Sequence, residues 1–153
     1  MRSRLTAAAL LGLAACTDPV ETRRAVPGDA AEVQGRIVAE LARLGFGPAS
    51  ASASGGGSVI EAAAAPAPDG WASCGPVLVG GGGSDKARRM ATAEAERGAV
   101  RVELTPAGGG SGTEVDVTAA FTGSYRNPIT TYRFERTCRS NGVVEARLLA
   151  AAG

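Results

Sequence analysis

Val100-Arg101-Val102-Glu103-Leu104-Thr105 and Glu114-Val115-Asp116-Val117-Thr118-Ala119-Ala120-Phe121 decide the fold. In both stretches apolar side chains recur at every second position, the period of a strand with one buried and one wet face. A helix would scatter the same residues around its axis. Between them, residues 106–112 combine one proline with four glycines and a serine, the composition of a hairpin loop. The pair therefore predicts neighbouring strands of an antiparallel sheet. Residues 123–128 turn the chain into a third strand, in which Tyr132, Phe134 and Cys138 share a face opposite Thr131, Arg133, Glu135 and Thr137. Arg136 falls on the apolar side, which requires either snorkelling at a sheet edge or a bulge.

Helices bracket these strands. Asp29 stands where a cap is needed, with Glu32 three residues later as the reciprocal partner of a capping box. Val33, Ile37, Leu41 and Leu44 then line one face, with Glu32, Arg36, Glu40 and Arg43 largely opposite. Gly45 suits the left-handed position after the helix, and Phe46 the residue that folds back on Leu41 in a Schellman ending. At the other end, Ser140 or Asn141 caps a last helix with Val144, Leu148 and Ala151 on one face.

The intervening chain carries weaker signals. Residues 49–58 are an Ala/Ser/Gly stretch read as a loop. Residues 59–65 fit a short strand weakened by alanine, 66–70 a turn, and 71–79 a strand ending in Val77-Leu78-Val79. Residues 84–97 fit two periods: their composition favours a helix, while Ala91, Ala93 and Ala95 alternate with polar residues as in a strand. The expected class is α+β: an antiparallel sheet of about four to five strands with an N-terminal and a C-terminal helix packed on one face. This order of elements is distantly similar to the helix-grip domains of envelope lipoproteins.

The first residues speak to location. Arg2 and Arg4 precede an apolar run over residues 5–13, too short to cross a bilayer and of signal-peptide length. Leu13-Ala14-Ala15-Cys16 follows. This ending resembles the lipobox of bacterial lipoproteins, in which the signal is cut before the cysteine and its sulfur takes a diacylglyceryl group. The resemblance implies a signal over 1–15 and a lipid-bearing Cys16. The polar stretch with Pro19 and Pro27 that follows reads as a tether, 16–28 with the lipidated cysteine, which leaves a single α+β domain over 29–153. Two or three acyl chains anchor effectively permanently, since each buried CH₂ contributes about 0.8 kcal/mol. In enteric lipoproteins an Asp after the cysteine signals retention in the inner membrane. Thr17 stands there instead, so the outer membrane, facing the periplasm, is expected. Arg23 and Arg24 fall on the tether, within reach of anionic headgroups or simply solvated.

Composition narrows the function classes. The chain carries sixteen basic and fifteen acidic residues and no histidine. Loss of Arg2 and Arg4 with the signal leaves a slight negative balance, which gives no footing for nucleic acid. Cys74 and Cys138 remain as an even pair in an oxidising compartment and are expected to form a disulfide closing a loop worth about 4 kcal/mol of chain entropy. Without histidine there is neither a base for a Cys or Ser nucleophile nor a complete zinc ligand set. Gly80-Gly81-Gly82-Gly83-Ser84-Asp85-Lys86 lacks the Gly-Lys-Ser/Thr of a phosphate loop. Glu114 and Asp116 share a wet strand face and read as solvated acids. Arg88-Arg89 and Tyr125-Arg126-Asn127-Pro128 read as surface and turn, with partner contact as the functional option.

The reading is a lipid-anchored envelope lipoprotein with a non-enzymatic structural or accessory role, without cofactor or catalytic residues. Its expected partners are the membrane, through the anchor, and an envelope protein. The alternative is a module holding a small apolar ligand or lipid between sheet and helices, which an open groove there would favour.

Overall fold

The computed structural model describes residues 20–67, 70–80, 88–109 and 111–153. The signal over 1–15, Cys16 and Lys86 lie outside them. The elements are β1 (Arg23–Val26), α1 (Ala30–Arg43), β2 (Ser50–Ser54), β3 (Gly57–Ala64), β4 (Ala72–Ser73), β5 (Val77–Gly80), β6 (Arg88–Ala91), β7 (Ala93–Pro106), β8 (Thr113–Arg126), β9 (Arg133–Ser140) and α2 (Val143–Ala152). The two stretches that opened the sequence reading are the centres of β7 and β8, which pair antiparallel with Val102 opposite Val117. β3 lies on the far side of β7, with Ile60 opposite Val102.

Because β7 occupies one side of β8 for most of its length, β1 and β9 share the other. β1 pairs with residues 113–116 of β8 and β9 with residues 121–126. The main sheet thus has seven strands in the order β2-β3-β7-β8-β9-β4, with β1 beside β8, and β5 and β6 form a separate two-stranded ribbon.

Val100, Val102, Leu104, Val115, Val117 and Phe121 form one face of this sheet and join Val33, Ile37 and Leu41 of α1 and Val144, Leu148 and Leu149 of α2 in one buried cluster. Trp71 closes it, stacked on Phe46 at 5.0 Å and edge-on to Phe121 at 6.5 Å. α1 ends as its sequence dictates: Phe46 N–H bonds Leu41 C=O, Gly45 N–H bonds Ala42 C=O, and Gly45 takes φ 81°. At its start the Asp29 carboxylate accepts from Glu32 N–H at 2.9 Å. The Glu32 side chain turns to Arg36 rather than back to the cap, so only half of the capping box forms. Arg36 also donates to Ala152 C=O at 2.5 Å, setting a guanidinium on the last carbonyls of α2, where the helix dipole favours a cation.

The antiparallel sheet with two helices agrees with the α+β expectation in outline, and its details differ. The sheet has seven strands rather than four or five. The helices are not two equivalent covers of one face: α1 rests on β3 and β7, whereas α2 packs on α1, β8 and β1. The stretch read as a tether contains β1, because Arg23, Arg24, Ala25 and Val26 complete the side of β8 that β9 leaves open. Residues 49–58 form most of a β2–β3 hairpin instead of a loop. Residues 71–79 divide between β4 and β5. Within 84–97 the described residues are strand, in β6 and β7, apart from Thr92 between them. β8 runs straight to Arg126, and the turn follows it.

Around α2, Ser140 and Asn141 do their work one step outside the helix. Ser140 Oγ accepts from Gly142 N–H and Asn141 Oδ1 from Val143 N–H, while Gly142 itself is the cap. Arg136 needs no bulge. It pairs with Gly123 in unbroken register, and both Arg136 and Tyr132 are exposed to water.

Leu41→Ala is expected to cost about 2–5 kcal/mol through the cavity it leaves, and Asp29→Ala about 1 kcal/mol through the lost cap. Arg36→Ala, which removes an exposed-side tie to α2, should cost about 1 kcal/mol or less. Urea unfolding followed by circular dichroism measures all three; a Leu41→Ala loss no larger than that of Asp29→Ala would show that this helix face is not core.

Candidate functional site

Cys74 and Cys138 stand at disulfide distance, with Cα atoms 4.6 Å apart at a sequence separation of 64. β4 positions the first, since Ala72 and Ser73 pair with Ser140 and Arg139 on the strand that carries the second. Gly123 of β8 makes the room. A Cβ there would lie 3.1 and 3.2 Å from the two sulfurs and 3.0 Å from Tyr125 Cε2. Tyr125 is buried, stacks on Phe134 at 5.4 Å and donates its hydroxyl to Gly75 C=O at 2.9 Å. The chain leaving the bridge is therefore held twice, by sulfur and by the tyrosine. By sequence Gly123 belongs to a turn, and Tyr125 to the surface as a turn or contact residue. Both instead lie in β8 with Tyr125 buried, and the one signal for this is that glycine interrupts an otherwise alternating strand.

The face of the sheet opposite the helices is a lattice of ion pairs. Arg101 bonds Glu61 at 2.7 Å and Glu103 at 2.9 Å, bridging β3 and β7. Arg97 meets Glu135 of β9, Arg133 meets Glu94 at 3.2 Å, and Arg23 meets Glu114 at 2.6 Å. Glu103 first and Glu61 second raise the Arg101 guanidinium above its ordinary range, and Glu114 does the same for Arg23. Arg24 holds the Glu21 carboxyl below its usual range, so that pair is present at neutral pH and is lost as acid titrates Glu21. Glu114 is thus a salt-bridged acid beside Asp116 on the open face. Arg23 and Arg24, considered as headgroup contacts, are engaged with Glu114 and Glu21.

The remaining sequence candidates gather at one end. The turn after β8 is pinned by Asn127, whose Oδ1 accepts from Ile129 N–H at 2.8 Å and whose Nδ2 donates to Gly80 C=O at 3.5 Å. This brings Arg126 and the β5–β6 ribbon carrying Arg88 and Arg89 to the same end of the molecule. Leu78 and Met90 face each other across that ribbon and are exposed, as is Tyr132. Among the described residues no cluster of three or more His, Cys, Asp or Glu is placed to hold a metal ion.

Among the described residues are three surface hollows of about 440, 510 and 350 Å³. The first lies on the open sheet face over Ala63, Ala99 and Ala120, the second beside Gly28 and Gly112, the third between Met90 and Asn127. None lies between sheet and helices. One buried carboxylate was missed: Glu145 in the first turn of α2 accepts from Ser140 Oγ at 2.7 Å. Its position near the helix N-terminus, where the dipole favours an anion, was legible.

With the bridge formed, an alkylating reagent should leave Cys74 and Cys138 unmodified in unreduced, denatured protein and modify both after reduction. Loss of either cysteine should destabilise the domain by about 2–5 kcal/mol. Free thiols before reduction would refute the pairing.

No protein-family model, curated protein or solved structure matches this chain.

Proposed function

We propose that the chain is a lipid-anchored, periplasm-facing envelope lipoprotein with a non-enzymatic structural or accessory role. The observation that carries this reading is Leu13-Ala14-Ala15-Cys16 behind Arg2, Arg4 and a short apolar run. The Cys74–Cys138 geometry is in keeping with an oxidising compartment. Among the described residues no helix is long and apolar enough to cross a membrane. Thr22 C=O accepts from Val117 N–H at 2.7 Å and Val20 lies against Gly142, so the body begins at Val20. Residues 17–19 are what separates it from Cys16, about 10 Å of fully extended chain. The domain would sit close to the lipid surface, on the outer membrane by the identity of Thr17.

Support for a non-enzymatic role is chemical. The chain has no histidine, and Glu61, Glu94, Glu103, Glu114 and Glu135 are each engaged by an arginine. The filled layer between sheet and helices favours this over an apolar-ligand module, whose groove was expected there.

Cys16→Ala is expected to abolish incorporation of labelled palmitate and to leave an uncleaved or soluble species. A variant that still partitions with membranes as the parent chain does would refute the anchor, and sedimentation of the parent with inner-membrane fractions would refute its placement.

A further inference from the structure

Edges of an open sheet expose unpaired N–H and C=O groups, and proteins guard them with charge, brevity or cover. β9 carries Arg133, Arg136 and Arg139, all exposed, and β4 spans only two residues. β1 is four residues long and begins with Arg23-Arg24. Among the described residues, β2 at the other end has neither charge nor a strand paired on its outer side. It is Ser50-Ala51-Ser52-Ala53-Ser54, uncharged, proline-free, exposed at every residue and in unbroken register with β3.

The geometry of that edge is specific. Gly55 and Gly56, at φ 54° and 90°, make the two-residue type I′ turn that closes the β2–β3 hairpin. In such a hairpin the pair beside the turn, Ser54 and Gly57, exchanges both hydrogen bonds. Alternation then turns the amides of Ser50, Ser52 and Ser54 toward β3 and those of Ala51 and Ala53 outward. Pro48 bounds the free edge on one side and the turn on the other, so its middle is Ser52.

The segment also reads identically in both directions. We propose that β2 is a self-association edge, on which a second copy of this chain lays its own β2 antiparallel about a two-fold axis through Ser52. Ser50 then faces Ser54 of the second copy, Ala51 faces Ala53 through their outward amides, and Ser52 faces itself. The alanines exchange ladder hydrogen bonds. The Ser52 pair takes the close, non-hydrogen-bonded position, with Cα atoms about 4.5 Å apart. The contact is isologous and closed, so it yields dimers and not fibres. A five-residue ladder lies below the ~1,200 Å² of stable interfaces, so the association is weak in dilute solution and grows where copies are concentrated on one surface.

The test is disulfide trapping in the full-length chain expressed in a bacterial envelope, read on non-reducing gels against the parent, which carries Cys16. Ser52→Cys should give a dimer of twice the chain mass that the parent lacks. Ser50→Cys and Ser54→Cys should each stay monomeric alone and crosslink when co-expressed. Ala53→Pro, which removes an outward N–H and no bond to β3, should abolish the Ser52→Cys dimer while circular dichroism and chain level stay unchanged. Persistent monomer with Ser52→Cys, equal crosslinking of Ser50→Cys alone, a dimer that survives Ala53→Pro, or a crosslink to a different protein would each overturn the proposal. The concentration on one surface rests on the Cys16 anchor proposed above, and palmitate labelling of the same Ser52→Cys chain separates the two readings. Monomer in a labelled chain overturns the self-association edge, whereas an unlabelled chain overturns the anchor.

Discussion

The pairing of β7 with β8 is the constraint on which the other elements depend. It runs from Ala93 opposite Tyr125 to Pro106 opposite Thr113, and only one register is compatible with a buried face. A slip of one residue would put Arg101, Glu103 and Asp116 under the helices and Val100, Val102 and Val117 in water. β3 takes its place from β7, and β1 and β9 divide the free side of β8. Both helices bury their apolar stripes on the valines this register presents. Even the cysteine bridge is set by it, since Gly123 arrives under Cys138 through the same alternation.

The sequence was most readable where a side chain declares its own burial. Alternating valine and leucine against charge placed β7 and β8, and the Val33-Ile37-Leu41-Leu44 stripe with Gly45 and Phe46 placed α1 and its ending. Legibility failed where strands are built from small residues. β2 and much of β3 are Ser, Ala and Gly, whose intrinsic preference for a strand is slight, and only the ladder to β7 makes them strands. β1 was read as tether for a related reason: two arginines, an alanine and a valine carry no period, and what orders them is a vacancy on β8 that no local window reveals.

The cysteine corner divides the same way. The pairing of Cys74 with Cys138 was expected from the cysteine count and the export signal read at the N-terminus, because the two cysteines beyond Cys16 allow one connection. The support beneath it, Gly123 with the Tyr125 hydroxyl on Gly75, depends on three separate segments meeting. The charges on the open face were visible as the polar half of an alternation. Which acid meets which arginine was not, because Arg97 with Glu135 and Arg101 with Glu61 join strands distant in sequence.

The β5–β6 ribbon has a consequence for how the molecule opens. It shares no ladder with the main sheet, presents Leu78 and Met90 to solvent, and is tied to the body by the Asn127–Gly80 and Tyr125–Gly75 hydrogen bonds. Its backbone amides are therefore protected by local contacts, whereas those at the centre of β7 and β8 exchange only when the whole domain unfolds. Cys74 stands three residues before Val77, at disulfide distance from Cys138, so one end of the ribbon starts from that cysteine pair; at its other end only Thr92 separates β6 from β7. Local opening of the ribbon is thus confined between two points fixed to the core, the cysteine pair and the start of β7.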